Sequence, residues 1–223
     1  MTIDWAPLAL TFRLAVVTTA ILLALGIPLA YALAFGRFRL KPVVATLVSM
    51  PLVLPPSVLG FYLLLAFSPQ NAFGQFLHAR FDLQFVFSFP GLVLGSLIFS
   101  LPFMTQPIQA GLEGLPASLL EAADTLGKSR VTTLVRVLLP NIKPALLAGV
   151  VLTFAHTIGE FGVVLMIGGN IPGVTRVASL AIYDEVESLN YPAAHVYAGV
   201  LFAVTFAILL AVHVINKRWL RPL

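Results

Sequence analysis

Pro116-Ala-Ser-Leu-Leu-Glu121-Ala-Ala-Asp-Thr-Leu-Gly127-Lys-Ser-Arg-Val-Thr-Thr-Leu-Val-Arg-Val-Leu-Leu-Pro140 is an organised connector set in an otherwise apolar chain. Ser118 and Glu121 have the Ser-x-x-Glu spacing of a capping box. Pro116 lies just ahead, where proline suits a helix start. Leu119, Leu120, Ala123 and Leu126 form a stripe at helical spacing. Gly127 is placed to end that helix in a left-handed conformation. Ser129 then starts a second helix with an apolar face of Val131, Leu134, Val135 and Leu138, and Pro140 breaks the chain before the next apolar run. The stretch therefore reads as a short helix, a glycine turn and a second helix. Two roles fit: a hairpin lying on a membrane surface, or a docking element whose small Ala122 and Ala123 admit another backbone.

Outward from this loop the chain is written for lipid. Of 223 residues, 59% are hydrophobic and 10% charged, and the mean hydropathy is +0.99. An ordinary soluble domain has roughly 45–50% apolar and about 25% charged residues. Five runs reach the roughly 20 residues that a spanning helix needs: Leu8 to Phe35, Val43 to Phe67, Pro90 to Ile108, Ala145 to Gly168 and Ala193 to Ile215. They read as helices, because amides in hydrocarbon require internal partners. The expected fold is all-α and polytopic, one transmembrane domain over 8–216 containing the loop 109–144. The first run is longer than the roughly 7–15 residues of a signal core, and Asp4 precedes it, so it reads as a retained span.

Charge sets the expected orientation. Arg37, Arg39, Lys41, Lys128, Arg130, Arg136, Lys143, Lys217, Arg218 and Arg221 fall on one side; Arg80, Arg176 and, near a span end, Arg13 fall on the other. The positive-inside rule places the 109–144 loop and the C-terminus in the cytoplasm and the N-terminus outside. The net charge of +4 reports this bias rather than nucleic-acid binding. The absence of cysteine excludes disulfides and thiolate metal sites. No metal-ligand spacing and no nucleophile–base set stands out, so no catalytic residue is assigned. Gly127-Lys128-Ser129 lacks the strand and first glycine of a phosphate-binding loop.

Glu121-Ala122-Ala123, Gly127 and Leu139-Pro140 match the EAA loop, and on them the chain resembles the permeases of type I binding-protein-dependent ABC importers. The resemblance implies that the first loop helix docks on a separate ATPase subunit. Two such subunits bind ATP with magnesium, and a second permease copy and a periplasmic binding protein complete the machine in the bacterial inner membrane. This chain itself would hold no cofactor. Pro51-Leu-Val-Leu-Pro55-Pro56-Ser57-Val-Leu-Gly60, Gly159-Glu160-Phe161-Gly162 and Asn170-Ile-Pro-Gly-Val-Thr-Arg176 are most similar to the molybdate permeases, which are typically homodimers. Sulfate and thiosulfate permeases come next, Asn190 to Ala194 being similar to theirs; tungstate is a further alternative substrate. A secondary transporter or channel is the alternative of another class, although no internal repeat of the kind such transporters often show is visible.

Within the spans, Pro51, Pro55, Pro56, Ser57 and Gly60 are candidates to line the pathway, because a proline break at membrane depth belongs beside protein or water. Glu160 is the acid deep in a span. It would repel a doubly negative oxyanion, so it reads as structural. At 1.5 Å per residue it lies about 12 Å from the outer end of its span and Arg13 roughly 8 Å from the end of its own. The expected partner of Glu160 is therefore Arg13, or His156 one turn away. Gly159 and Gly162 suit close helix packing.

Overall fold

The computed structural model describes residues 3–219, the side chains of residues 213 and 215–219 excepted. Of the features named above, Arg221 and the side chains of Lys217 and Arg218 lie outside it.

The described chain is helical: α1 (Ala6–Phe35), α2 (Lys41–Ser49), α3 (Pro56–Phe67), α4 (Ala72–Phe81), α5 (Phe89–Glu113), α6 (Ala117–Thr125), α7 (Arg130–Thr133), α8 (Leu139–Asn141), α9 (Lys143–Ile158), α10 (Gly162–Gly168), α11 (Ala178–Glu187) and α12 (Tyr191–Trp219). Three stretches are continuous membrane-length helices: Ala6–Phe35, Phe89–Glu113 and Tyr191–Val212.

The other two expected spans are not straight. Lys41–Leu52 and Pro56–Phe67 meet at 112°, so Val43 to Phe67 is a bent pair of helices rather than one straight helix. The cause lies in Pro51, Pro55 and Pro56. Pro55 caps α3 with ψ 133°, an extended conformation favoured by the following proline ring. Likewise Ala145 to Gly168 is not one helix. It breaks at Gly159-Glu160-Phe161 and resumes as α10.

α5 is the spine. Leu14 of α1 shares a cluster with Leu92 and Phe99, whereas Leu22 and Ala30 join Met104, Ile108 and Leu112. α1 and α5 thus run in the same direction. α9 runs opposite: Ile142, just before it, sits in the cluster of Leu112, and Thr157 near its end is hydrogen-bonded to Ser100 at 3.1 Å. The end carrying α6–α8 is here called the loop end.

At the far end, α11 has ten residues, about 15 Å at helical rise and too short to span. It packs Ala178 and Ala181 against Leu8 and Tyr197. Thr11 joins it to α1 by accepting the Ala178 N–H at 2.8 Å while donating to the Pro7 carbonyl at 2.8 Å. The loop 68–85, unassigned by periodicity, contains α4.

Thr11 is 1% exposed, so Thr11→Val leaves a buried amide without its acceptor. The expected loss is about 1–3 kcal/mol, read as a lowered melting temperature of the detergent-solubilised protein, while Thr11→Ser retains most of the stability.

Candidate functional site

The loop has the expected helices with different caps. α6 starts after Pro116, and no side-chain hydrogen bond caps it. The capping box of Ser118 and Glu121 does not form, because Ser118 already lies inside the first turn. Its other end is as read. Gly127 has φ +64°; its N–H bonds the Asp124 carbonyl at 3.0 Å and the Lys128 N–H bonds that of Ala123 at 3.0 Å. Those two bonds satisfy terminal carbonyls only with a left-handed residue between them, which favours glycine. Ser129 caps α7 by accepting from the Thr132 N–H at 3.2 Å.

Beyond α7 the chain widens into a π segment, Leu134–Leu138, before α8. Pro140 lies inside this helical stretch rather than ending it. Proline has no N–H and its ring crowds the carbonyl four residues back; the wider winding relieves that clash. The break comes at Ile142, where Arg130–Asn141 and Lys143–Ile158 meet at 83°.

The loop buries one side and bares the other. Ala123 and Leu138 are buried, while Glu121, Ala122 and Pro140 are exposed and Leu139 is half-buried. Leu126, Val131 and Val135 stand uncovered at 72%, 71% and 55% exposure. Ala122, Leu126, Thr132 and Arg136 line a groove of about 250 Å³ between α6 and α7. Single exposed apolar residues are ordinary; here three stand uncovered within ten residues of one loop.

A second site lies within the spans, where the two chain breaks meet on α5. A side chain at Gly162 would stand 2.8 Å from Pro56 Cβ and 3.2 Å from Ser57 N, so the starts of α3 and α10 touch. Gly60 and Pro51 are buried, Gly60 in contact with Met166 and Val163. Pro55 is exposed at the cap of α3. Pro56 and Ser57 line a cleft of about 540 Å³ with Phe99, His156 and Glu160. The proline run thus divides into packing residues and lining residues.

Glu160 sits at the break itself, 4% exposed. Ser96 of α5 donates to its Oε2 at 2.6 Å, and Ser179 of α11 donates to its main-chain carbonyl at 2.6 Å. Among the described residues no ion pair joins it to Arg13. The Arg13 guanidinium instead lies 4.5 Å over the Phe89 ring. His156 does not bond Glu160 either: its Nε2 is without a hydrogen-bond partner, and its ring stacks on Phe103 at 4.0 Å. Ser96 and Ser179 escaped sequence reading because serine in an apolar run carries no periodic signal.

Arg176 is not a free solvated charge. It pairs with Asp184 at 3.2 Å and donates to the Asn170 side chain at 3.1 Å, closing the turn after α10.

The sequence profile described as binding-protein-dependent transport system inner membrane component matches residues 23–221. This chain belongs to that family. A family member is a transport component rather than an enzyme. Molybdenum transport system permease protein ModB of Azotobacter vinelandii is 44% identical over 210 residues, 94% of this chain and 93% of that protein. Sulfate transport system permease protein CysT of Salmonella typhimurium is 36% identical over 194 residues, 87% of this chain and 70% of that protein. Among solved structures, a bacterial ABC transporter for alginate import aligns with TM-score 0.80 at 17% identity, covering 97% of this chain and 79% of that one. The MetNI methionine ABC transporter aligns at 0.74 and 16%, covering 96% and 95%. At those identities the structures establish the shared fold alone.

Ser96→Ala leaves the Glu160 carboxyl without this donor. We expect destabilisation of about 1–3 kcal/mol in thermal unfolding, with Ser96→Thr close to the parent.

Proposed function

We propose that this chain is the membrane-spanning subunit of an ATP-driven importer that carries molybdate across the bacterial inner membrane. The loop end faces the cytoplasm and the α11 end the periplasm, as the basic residues of the 37–41 and 109–144 segments favour. The observation that carries the ATP-driven reading is the glycine-stopped helix α6, with exposed Glu121 and Ala122 beside uncovered Leu126, Val131 and Val135. It offers an ATPase subunit a short helix to seat and an apolar rim to cover.

Two ATPase subunits would bind ATP and magnesium, and a second copy of this chain would complete the pathway. A periplasmic oxyanion-binding protein would deliver the substrate; the related-fold alginate transporter was solved in complex with an alginate pentasaccharide-bound periplasmic protein. Molybdate rather than sulfate is favoured by 44% identity extending over 94% of the chain. The cleft contains Ser57, His156 and Glu160 but neither lysine nor arginine. That suits passage of a dianion rather than its retention, and leaves selectivity to the delivering protein.

The test is uptake by cells carrying the chain with its ATPase and binding protein. Labelled molybdate should enter, excess sulfate should compete poorly, and inactivating the ATPase should abolish entry. Uptake that persists without the ATPase would sink the reading in favour of a secondary transporter or channel. Glu121→Lys should lower uptake by more than about tenfold, the equivalent of 1.4 kcal/mol of docking energy, with membrane insertion unchanged; normal uptake would count against α6 as the coupling element.

A further inference from the structure

α5 is the best-buried span, 61% over its most apolar window, yet one stripe of it is uncovered. Gln106, Ala110 and Glu113 are exposed and Phe103 is half-covered, and with Phe99 they recur every three or four residues, the spacing of a single helix face. Gln106 lies about 10 Å inside the loop end of α5. A polar face left uncovered at that depth is costly against hydrocarbon, so the stripe faces water or protein rather than lipid.

Two cavities open on this face. Toward the far end is the cleft of about 540 Å³ containing Ser57, Phe99, His156 and Glu160. Toward the loop end is a groove of about 310 Å³ containing Ser49, Gln106, Gln109 and Glu113. Between them on α5 stands Phe103, stacked on His156 with ring centroids 4.0 Å apart and planes 24° apart. Phe99 covers the same imidazole at 4.9 Å. Along α5 the stacked Phe103 and His156 rings lie between Phe99 of the cleft and Gln106 of the groove. Just past it, Gln106 donates to Ser49 Oγ at 3.2 Å, drawing α2 against α5.

We propose that Phe103 and His156 form the constriction of the translocation path, and that Gln106 with Ser49 forms an uncharged hydrogen-bonding station for the tetrahedral oxyanion beyond it. This rests on the importer reading for what passes, but not for where the path runs. A tetrahedral oxyanion accepts hydrogen bonds on every face, and the amide and hydroxyl supply donors without a cation. Such a station holds the ion loosely enough to let it leave, as conduction requires. Glu113, two turns further, discourages a dianion from dwelling at the mouth. Gln106 and Ser49 are the polar contacts for the ion in transit; Phe103 and His156 act as a barrier.

This chain has no cysteine, so each replacement introduces its one thiol, and the assembled transporter with the parent chain serves as the background control. Gln106→Cys, Ser57→Cys and, on the surface of α12, Phe202→Cys are exposed to a membrane-impermeant cationic thiosulfonate from either face of sealed vesicles, without substrate. Gln106→Cys should react from the loop-end face and not from the far face; Ser57→Cys should show the reverse, and Phe202→Cys should react from neither. Adding Phe103→Ala or His156→Ala should open Gln106→Cys to the far face, while His156→Phe, which keeps a stacked ring, should not. The proposal is overturned if Gln106→Cys is as inert as Phe202→Cys, or if both alanine replacements leave its sidedness unchanged. Phe103→Leu substitutes for Phe103→Ala should that variant not assemble. Accessibility needs no substrate, so correct sidedness with failed molybdate uptake would refute only the substrate, and wrong sidedness with normal uptake only the path.

Discussion

A chain crossing hydrocarbon must satisfy each main-chain N–H and C=O from within, because an orphan group there costs several kcal/mol. A helix does this automatically until it stops. This chain stops twice at depth, between α2 and α3 and between α9 and α10, and both stops must be enclosed by protein or water. Placing them against each other, Pro56 on Gly162, encloses both in one place. The rest of the packing serves that junction. α5 backs it, Ser96 and Ser179 tie the second break to α5 and α11, and the cleft is the space that two turning chains cannot fill.

The parts of this arrangement legible in the sequence are those written in long runs or in special residues. Five apolar stretches, the glycine that stops α6 and the Ser129 cap follow directly from run length, φ preference and capping chemistry. The bends were legible only in part. Pro51, Pro55 and Pro56 announce an interruption, but a 112° turn depends on what the second arm packs against. Gly159-Glu160-Phe161 gives weaker notice still, since glycine in a membrane helix more often marks close packing. Depth alone paired Arg13 with Glu160 because it ignored rotation about the helix axis. Arg13 is exposed and lies over Phe89 at the start of α5, whereas Glu160 is buried against Ser96, two turns further along it. Ser118 could not act as a cap once Pro116, with its extended conformation, took the position before the helix.

The uncovered loop surface and the cleft are well separated in this molecule. The uncovered Leu126, Val131 and Val135 lie on the loop, and the cleft lies within the spans. What joins them is one run of chain from Arg130 through the π segment and α8 into α9, which ends beside His156 and the break at Glu160.

That run has the mechanics of a crank. Its short arm, Arg130–Asn141, meets α9 at 83°, and Ile142 at the elbow is buried against Leu112 and Leu138, which makes it a pivot rather than a free joint. From the elbow to His156 is about 21 Å at 1.5 Å per residue. A rotation of about 10° at the pivot therefore displaces the imidazole by about 4 Å over that length, comparable with its distance from the Phe103 ring. Any rotation of that elbow is therefore felt where the His156 and Phe103 rings touch.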